Sequence, residues 1–110
     1  MATQRARNFQ FFDAPAGLFV TVERRLETGS WMDLGMFIQN VMIAARGEGL
    51  HTCAQAAFAR YPDLLRGLLN IGQEDIIACG ISLGYRNPSA PENVWRADRE
   101  PVASFTTWHR

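Results

Sequence analysis

Residues 31–45, Trp31-Met32-Asp33-Leu34-Gly35-Met36-Phe37-Ile38-Gln39-Asn40-Val41-Met42-Ile43-Ala44-Ala45, constrain this chain more than any other stretch. The run holds no proline, and wound as a helix it places apolar side chains on nearly every side. A helix that is apolar all round must be covered all round. A chain of 110 residues has little surface to spare for that cover. The run therefore implies either a place deep in the chain's own core or a covering surface from another segment or another subunit. Asp33, Gln39 and Asn40 interrupt it, and it is too short to span a bilayer. Ser30 is the expected N-cap, with Asp33 supporting the exposed amides of the first turn. Gly47 and Gly49 are the expected stops.

The segments around this helix read more conventionally. Residues 1–10 are polar and basic, with no obvious partner in the chain. Pro15 and Gly17 mark a turn, with Gly17 allowing the bend. Leu18-Phe19-Val20-Thr21-Val22-Glu23 reads as a strand, and its apolar start implies burial on both faces. Residues 50–58 read as irregular or weakly helical. Tyr61-Pro62 opens a second helix, with Pro62 near its first position and Leu64, Leu65, Leu68 and Leu69 as its stripe; Gly72 is its expected end. Ile76 to Tyr85 reads as a buried strand whose glycines admit close backbone approach. Pro88 and Pro91 make residues 86–93 a loop. The expectation from the residues is an α/β or α+β unit of two strands and two main helices; the resemblance described below selects α+β. Two strands make a poor sheet alone, so the unit looks incomplete.

Composition narrows the function classes. Lys+Arg and Asp+Glu both number 11, so the formal charge is zero and a basic nucleic-acid footprint is absent. Nucleic acid and membrane are not expected partners. Met1 is followed by polar Ala2-Thr3-Gln4-Arg5, which is not a signal-peptide pattern. Cys53 and Cys79 have neither CxxC nor metal spacing and read as two buried free thiols in a reducing cytoplasm. His51 and His109 have no ligand partners nearby. No GxGxxG, P-loop or GxSxG is present.

Four stretches together resemble one family, the FMN-dependent nitroreductases. Phe11-Phe12-Asp13-Ala14-Pro15-Ala16-Gly17-Leu18-Phe19 is similar to their strand that opens FF-x-AP-x-G-L. Asp33 to Met42, then Ala44-Ala45-Arg46-Gly47, resembles their long central helix. Gly49-Leu50-His51-Thr52-Cys53-Ala54-Gln55-Ala56-Ala57-Phe58 looks like their flavin-edge loop. Cys79 to Tyr85 and Arg99-Glu100-Pro101 complete the order.

The resemblance implies an FMN-dependent oxidoreductase that passes hydride from NAD(P)H to a small aromatic acceptor, nitroaromatic or quinone-like. It places residues 1–110 in the C-terminal portion of the nitroreductase fold, with the helix-rich N-terminal half not in this sequence. A truncated, non-catalytic dimerising remnant is the alternative. The family's FMN lies at a homodimer interface, so the central helix would pack on its counterpart and residues after Pro101 would wrap the partner. Ala54, Gln55 and Ala56 match positions lining the isoalloxazine, where backbone N–H groups approach N5. Many members carry proline where Ala54 stands. Arg99 matches an arginine on the FMN phosphate, a fit for a guanidinium fork, with Arg96 as a possible assistant. By their residues alone, the same positions read as an alanine-rich helix start and solvated surface arginines.

Overall fold

Residues 2–109 are described by a computed structural model. In chain order they form α1 (Ala2–Asn8), a 3-10 turn (Phe11–Asp13), β1 (Ala16–Glu23), α2 (Thr28–Gly47), β2 (His51–Gln55), a second 3-10 turn (Ala56–Arg60), α3 (Pro62–Leu69) and β3 (Asp75–Gly84). Two four-residue helices follow, α4 (Pro91–Val94) and α5 (Val102–Phe105). The strands make one antiparallel sheet of order β1-β3-β2. The fold is α+β, as the sequence implied, but with a third strand.

That third strand corrects the reading of residues 50–58. His51–Gln55 pairs with β3 from His51 opposite Gly84 to Gln55 opposite Gly80. Alanine and glutamine are weak strand formers, so pairing with β3, not local preference, makes this a strand. The second helix also ends earlier than expected. Asn70, in the left-handed region at φ 55°, closes α3 before Gly72 is reached. Ser30 is not the N-cap of α2. The helix begins at Thr28 with Glu27 in the capping position and no side-chain cap bond.

The alternation of β3 decides what covers each face. Cys79 and Ile81 turn to one side, where they meet Val20 of β1 and Leu34 and Ile38 of α2. Gly80 turns to the other, where the Phe58 ring lies on it; a Cβ there would sit 2.5 Å from Phe58 Cδ2. Phe58, Leu65 and Ile77 form the core of this second face, with Phe11, Phe19 and Ile71 against them. Ile81 is fully buried at the centre of the sheet. A shift in pairing between Val20 and Thr21 lets β1 keep step with β3 past Ala78.

Gly17 does not make a bend. It lies within β1, and its missing side chain leaves room for Phe11, whose Cζ would be 2.5 Å from a Cβ there. Phe11 and Phe58 stack at 4.7 Å and 27°, so two rings share a floor of two glycines. Holding Phe11 in this position requires an unusual backbone. Phe11, Phe12 and Asp13 all have positive φ, at 52°, 54° and 64°. Each such residue costs about 1–2 kcal/mol. The Phe11 stack on Phe58 works against that cost, and the exposed ion pair from Arg7 Nη2 to Asp13 Oδ2 at 2.9 Å adds little to it.

Burial elsewhere departs from expectation in an informative way. The start of β1 is its exposed end, with Leu18 in solvent, while Val20 and Val22 are buried, because the α2 cover centres on Val20, Cys79 and Ile81. Cys79 is buried, but Cys53 is exposed; both are free thiols. Along α2 Ala45 is the buried residue, and Met32 remains 65% and Ile43 58% exposed. Among the described residues the all-round apolar helix is covered only along the stripe that carries Leu34, Ile38 and Ala45. Trp95, Phe105 and Trp108 of the tail are also exposed.

Two substitutions test the aromatic–glycine layer. Phe58→Ala removes the ring shared by Phe9, Phe11 and Phe19 and should cost about 3–5 kcal/mol in urea unfolding. Gly80→Ala puts a methyl group against that ring and should cost about 1–3 kcal/mol. Unfolding midpoints unchanged in both would contradict the packing described.

Candidate functional site

Because β2 is an edge strand, half of its backbone donors and acceptors face away from the sheet. Ala54 and Ala56 are exposed at the end of this edge. Gln55, between them, is turned the other way and is 3% exposed. Its Nε2 donates to the main-chain O and the Oδ1 of Asn8, each at 2.7 Å. Gln55 Oε1 is buried and has no hydrogen-bond partner among the described residues. The side chain of Gln55 is thus a brace between the end of α1 and the end of β2, and gives residues 1–10 the partner that the sequence did not reveal. What Gln55 offers the edge is backbone.

At Ala56 the strand becomes the 3-10 turn Ala56–Arg60. Gln55 occupies its capping position in extended geometry, without a side-chain cap bond. The amides that open the turn are therefore not satisfied by a cap. Donors with small, exposed neighbours suit a flat ring system bearing an acceptor atom. This arrangement fits a flavin edge.

Arg99 lies between α4 and α5, exposed. Its Nη1 donates to the carbonyls of Ala97 at 2.9 Å and Asp98 at 3.4 Å. No carboxylate pairs with it among the described residues. The structure brings Ala54, Gln55 and Ala56 together as one strand end. It gives no hydrogen bond or ion pair that joins Arg99 to them. Arg99 remains a cation with donors to spare, as a phosphate contact requires.

A groove of about 830 Å³ opens beside β2, and the sequence did not reveal it. His51, Cys53 and Ser82 line it from the sheet, and Arg46, Arg86 and Arg96 from the flanking segments. Arg46 Nη1 donates to Leu50 O at 3.1 Å and lies 3.0 Å from His51 Nε2. Desolvation, then the Arg46 and Arg86 charges, pulls the His51 pKa below its ordinary value. Desolvation pushes the Cys53 thiol up, against a smaller opposing pull from Ser82, and burial does the same to Cys79. Neither thiol is primed as a thiolate nucleophile. The signal that could have found the groove is strand parity: once residues 51–55 are a strand, His51 and Cys53 must share a face.

Among the described residues no cluster of His, Cys, Asp and Glu could hold a metal, and no helix is long and apolar enough to cross a membrane.

The geometry can be set beside known proteins. Residues 2–85 match the nitroreductase family. A 4-nitrobenzoate reductase of Pseudomonas putida is 43% identical over 99 residues, covering 90% of this chain and 44% of that protein. A nitrobenzene nitroreductase of Ectopseudomonas oleovorans is 42% identical over 102 residues, covering 93% and 45%. The crystal structure of the FMN and NADPH-dependent nitroreductase NfnB from Sphigopyxis sp. strain HMH superposes with a TM-score of 0.94 at 30% identity, covering 99% of this chain and 49% of that one. NfnB from Mycobacterium smegmatis in complex with NADPH gives 0.90 at 26%, covering 98% and 48%. The chain spans somewhat under half the length of these curated relatives. With the family match running over residues 2–85, through β1, α2, β2 and the central strand β3, the chain belongs to the nitroreductase family.

Proposed function

We propose that this chain is the flavin-edge and subunit-interface portion of an FMN-dependent oxidoreductase of nitroreductase type. It would serve hydride transfer from NAD(P)H to nitroaromatic or quinone-like acceptors. The observation that carries the reading is the end of β2: uncapped amides between exposed alanines, on a sheet edge, in a scaffold shared with FMN and NADPH-dependent enzymes. Bound FMN would supply the two-electron hydride chemistry. The chain's own part is to bind and orient. Ala54 and Ala56 leave room for a flat ring, and the backbone at residues 54–57 offers donors to its edge. Gln55 fixes that backbone by its bonds to Asn8. Arg99 takes the phosphate.

The uncovered side of α2, with Met32, Met36, Phe37 and Ile43 exposed, supports a homodimer in which this helix meets its counterpart. The exposed tail aromatics Phe105 and Trp108 support a C-terminal extension laid on the partner. Free thiols fit a cytoplasmic location. The share of its relatives that the chain spans supports a second reading, a dimerising remnant that binds no flavin.

FMN titration of the purified chain, followed by flavin fluorescence, separates the two readings. Saturable binding is expected, and its absence would favour the remnant. In the same titration Arg99→Ala should weaken binding by about 1.5–3 kcal/mol, the range for hydrogen bonds to charged groups. Unchanged affinity in that variant would remove Arg99 from the phosphate site.

A further inference from the structure

Asn8 and Phe9, at the end of α1, hold the turn that opens at the candidate flavin edge. α1 has seven residues, too few for a helix to persist alone in water. The carbonyls of Ala6 and Arg7 accept from the amides of Phe9 and Gln10, at 3.1 and 3.0 Å. The carbonyl of Asn8 instead accepts from Gln55 Nε2, as does Asn8 Oδ1, each at 2.7 Å. The next residue, Phe9, sets its ring edge-on to Phe58 at 5.5 Å and to Tyr61 at 5.4 Å. Two adjacent residues thus grip the turn Ala56–Arg60 at its start, its middle and its C-terminal cap.

Chemistry fixes the orientation of the Gln55 carboxamide. A main-chain carbonyl can only accept, so the Gln55 atom facing Asn8 O must be the nitrogen. Oε1 is then left buried with no partner among the described residues. A lone buried acceptor is unfavourable, so the two bonds from Nε2 dominate this side chain.

What these bonds control is a peptide plane. Gln55 is the last residue of β2 paired with β3, opposite Gly80, and its ψ is 91°. That torsion sets the direction of the Ala56 N–H, the first donor of the uncapped turn. Pairing with Gly80 holds the backbone of Gln55 on one side, and Asn8 holds its side chain on the other. Ala56 carries only an exposed methyl group and makes no side-chain bond that could hold the plane.

We propose that Asn8 is a positioning residue for the flavin edge. Acting through Gln55, and not by contact with the cofactor, its Oδ1 aims the amides of Ala56 and Ala57 at the ring. The role rests on the flavin reading, but the order of those amides is measurable without flavin.

The test combines amide-nitrogen NMR relaxation of the flavin-free chain with FMN titration, in Asn8→Leu, which removes Oδ1, and in Asn8→Asp, which keeps it. In the parent the Ala56 and Ala57 amides should have order parameters of about 0.85, falling below about 0.6 in Asn8→Leu and not in Asn8→Asp. The amide of Ile81, at the buried centre of the sheet, should stay rigid in both variants. FMN should bind Asn8→Leu about three- to tenfold more weakly than the parent, the range for one neutral hydrogen bond, and should bind Asn8→Asp as it binds the parent. In a Gln55→Met background, where the bond is already absent, Asn8→Leu should change FMN affinity by less than about twofold. Unchanged amide order in Asn8→Leu would overturn the proposal, whatever FMN does. So would lost order with unchanged FMN affinity, equal losses in Asn8→Leu and Asn8→Asp, or an undiminished effect in the Gln55→Met background. A parent that binds no FMN refutes the flavin reading, while the order parameters still decide whether Asn8 holds the amides.

Discussion

Phe58 lies so close to Gly80 that any side chain there would force the ring away, and the rest of the molecule is arranged around that contact. β3 can be the central strand because its alternate residues meet different covers. Ile81 and Cys79 meet the long helix; Gly80 meets a phenyl ring. The ring is set by the 3-10 turn that follows β2, and that turn begins where the candidate flavin edge lies. Packing of the core and placement of the site are thus one constraint. Phe58 belongs to the same 3-10 turn as Ala56 and Ala57, so the ring's seat on Gly80 and the backbone of the candidate edge are fixed together. Gln55 secures the same junction from the other direction, through Asn8. The strained turn at residues 11–13 completes the layer by bringing Phe11 down on Gly17.

The other face of the molecule is unfinished by comparison. α2 lays Leu34 and Ile38 on the sheet and leaves Met32, Met36, Phe37 and Ile43 in water. A helix this apolar is not stable as a solvent-facing element, because hydrophobic stabilisation scales with the apolar area removed from water. β2 likewise presents an unpaired edge. Both features lie along the border where family resemblance places the flavin and the second subunit. The open side and the chemistry therefore belong to one reading: a ring held between two polypeptide surfaces, with neither complete alone.

Much of this was legible in the sequence, and the exceptions have common causes. The strand around Val20, the strand around Ile81, and both main helices follow from β-branched runs and helical stripes, with ends displaced by three residues at most. β2 was not legible, because Ala54 and Gln55 have no strand preference of their own and are held by pairing with β3. Gly17 looked like a turn residue because sequence shows its conformational freedom and not the ring above it. For the candidate site, Ala54, Gln55 and Ala56 were recognisable from motif order, but the inward aim of the Gln55 side chain depends on strand parity, which required β2. The arginine groove was invisible, since its walls come from α1, the first 3-10 turn, the end of α2, two strand ends and the loop beyond β3. Composition reported a balanced charge and could not show where the balance fails.

The proposed homodimer requires the bare side of α2 to hold two chains together in solution. Sedimentation equilibrium of the purified chain across a wide concentration range tests it most directly. A reversible dimer that dissociates only on dilution is expected. A monodisperse, well-folded monomer at every concentration would contradict it.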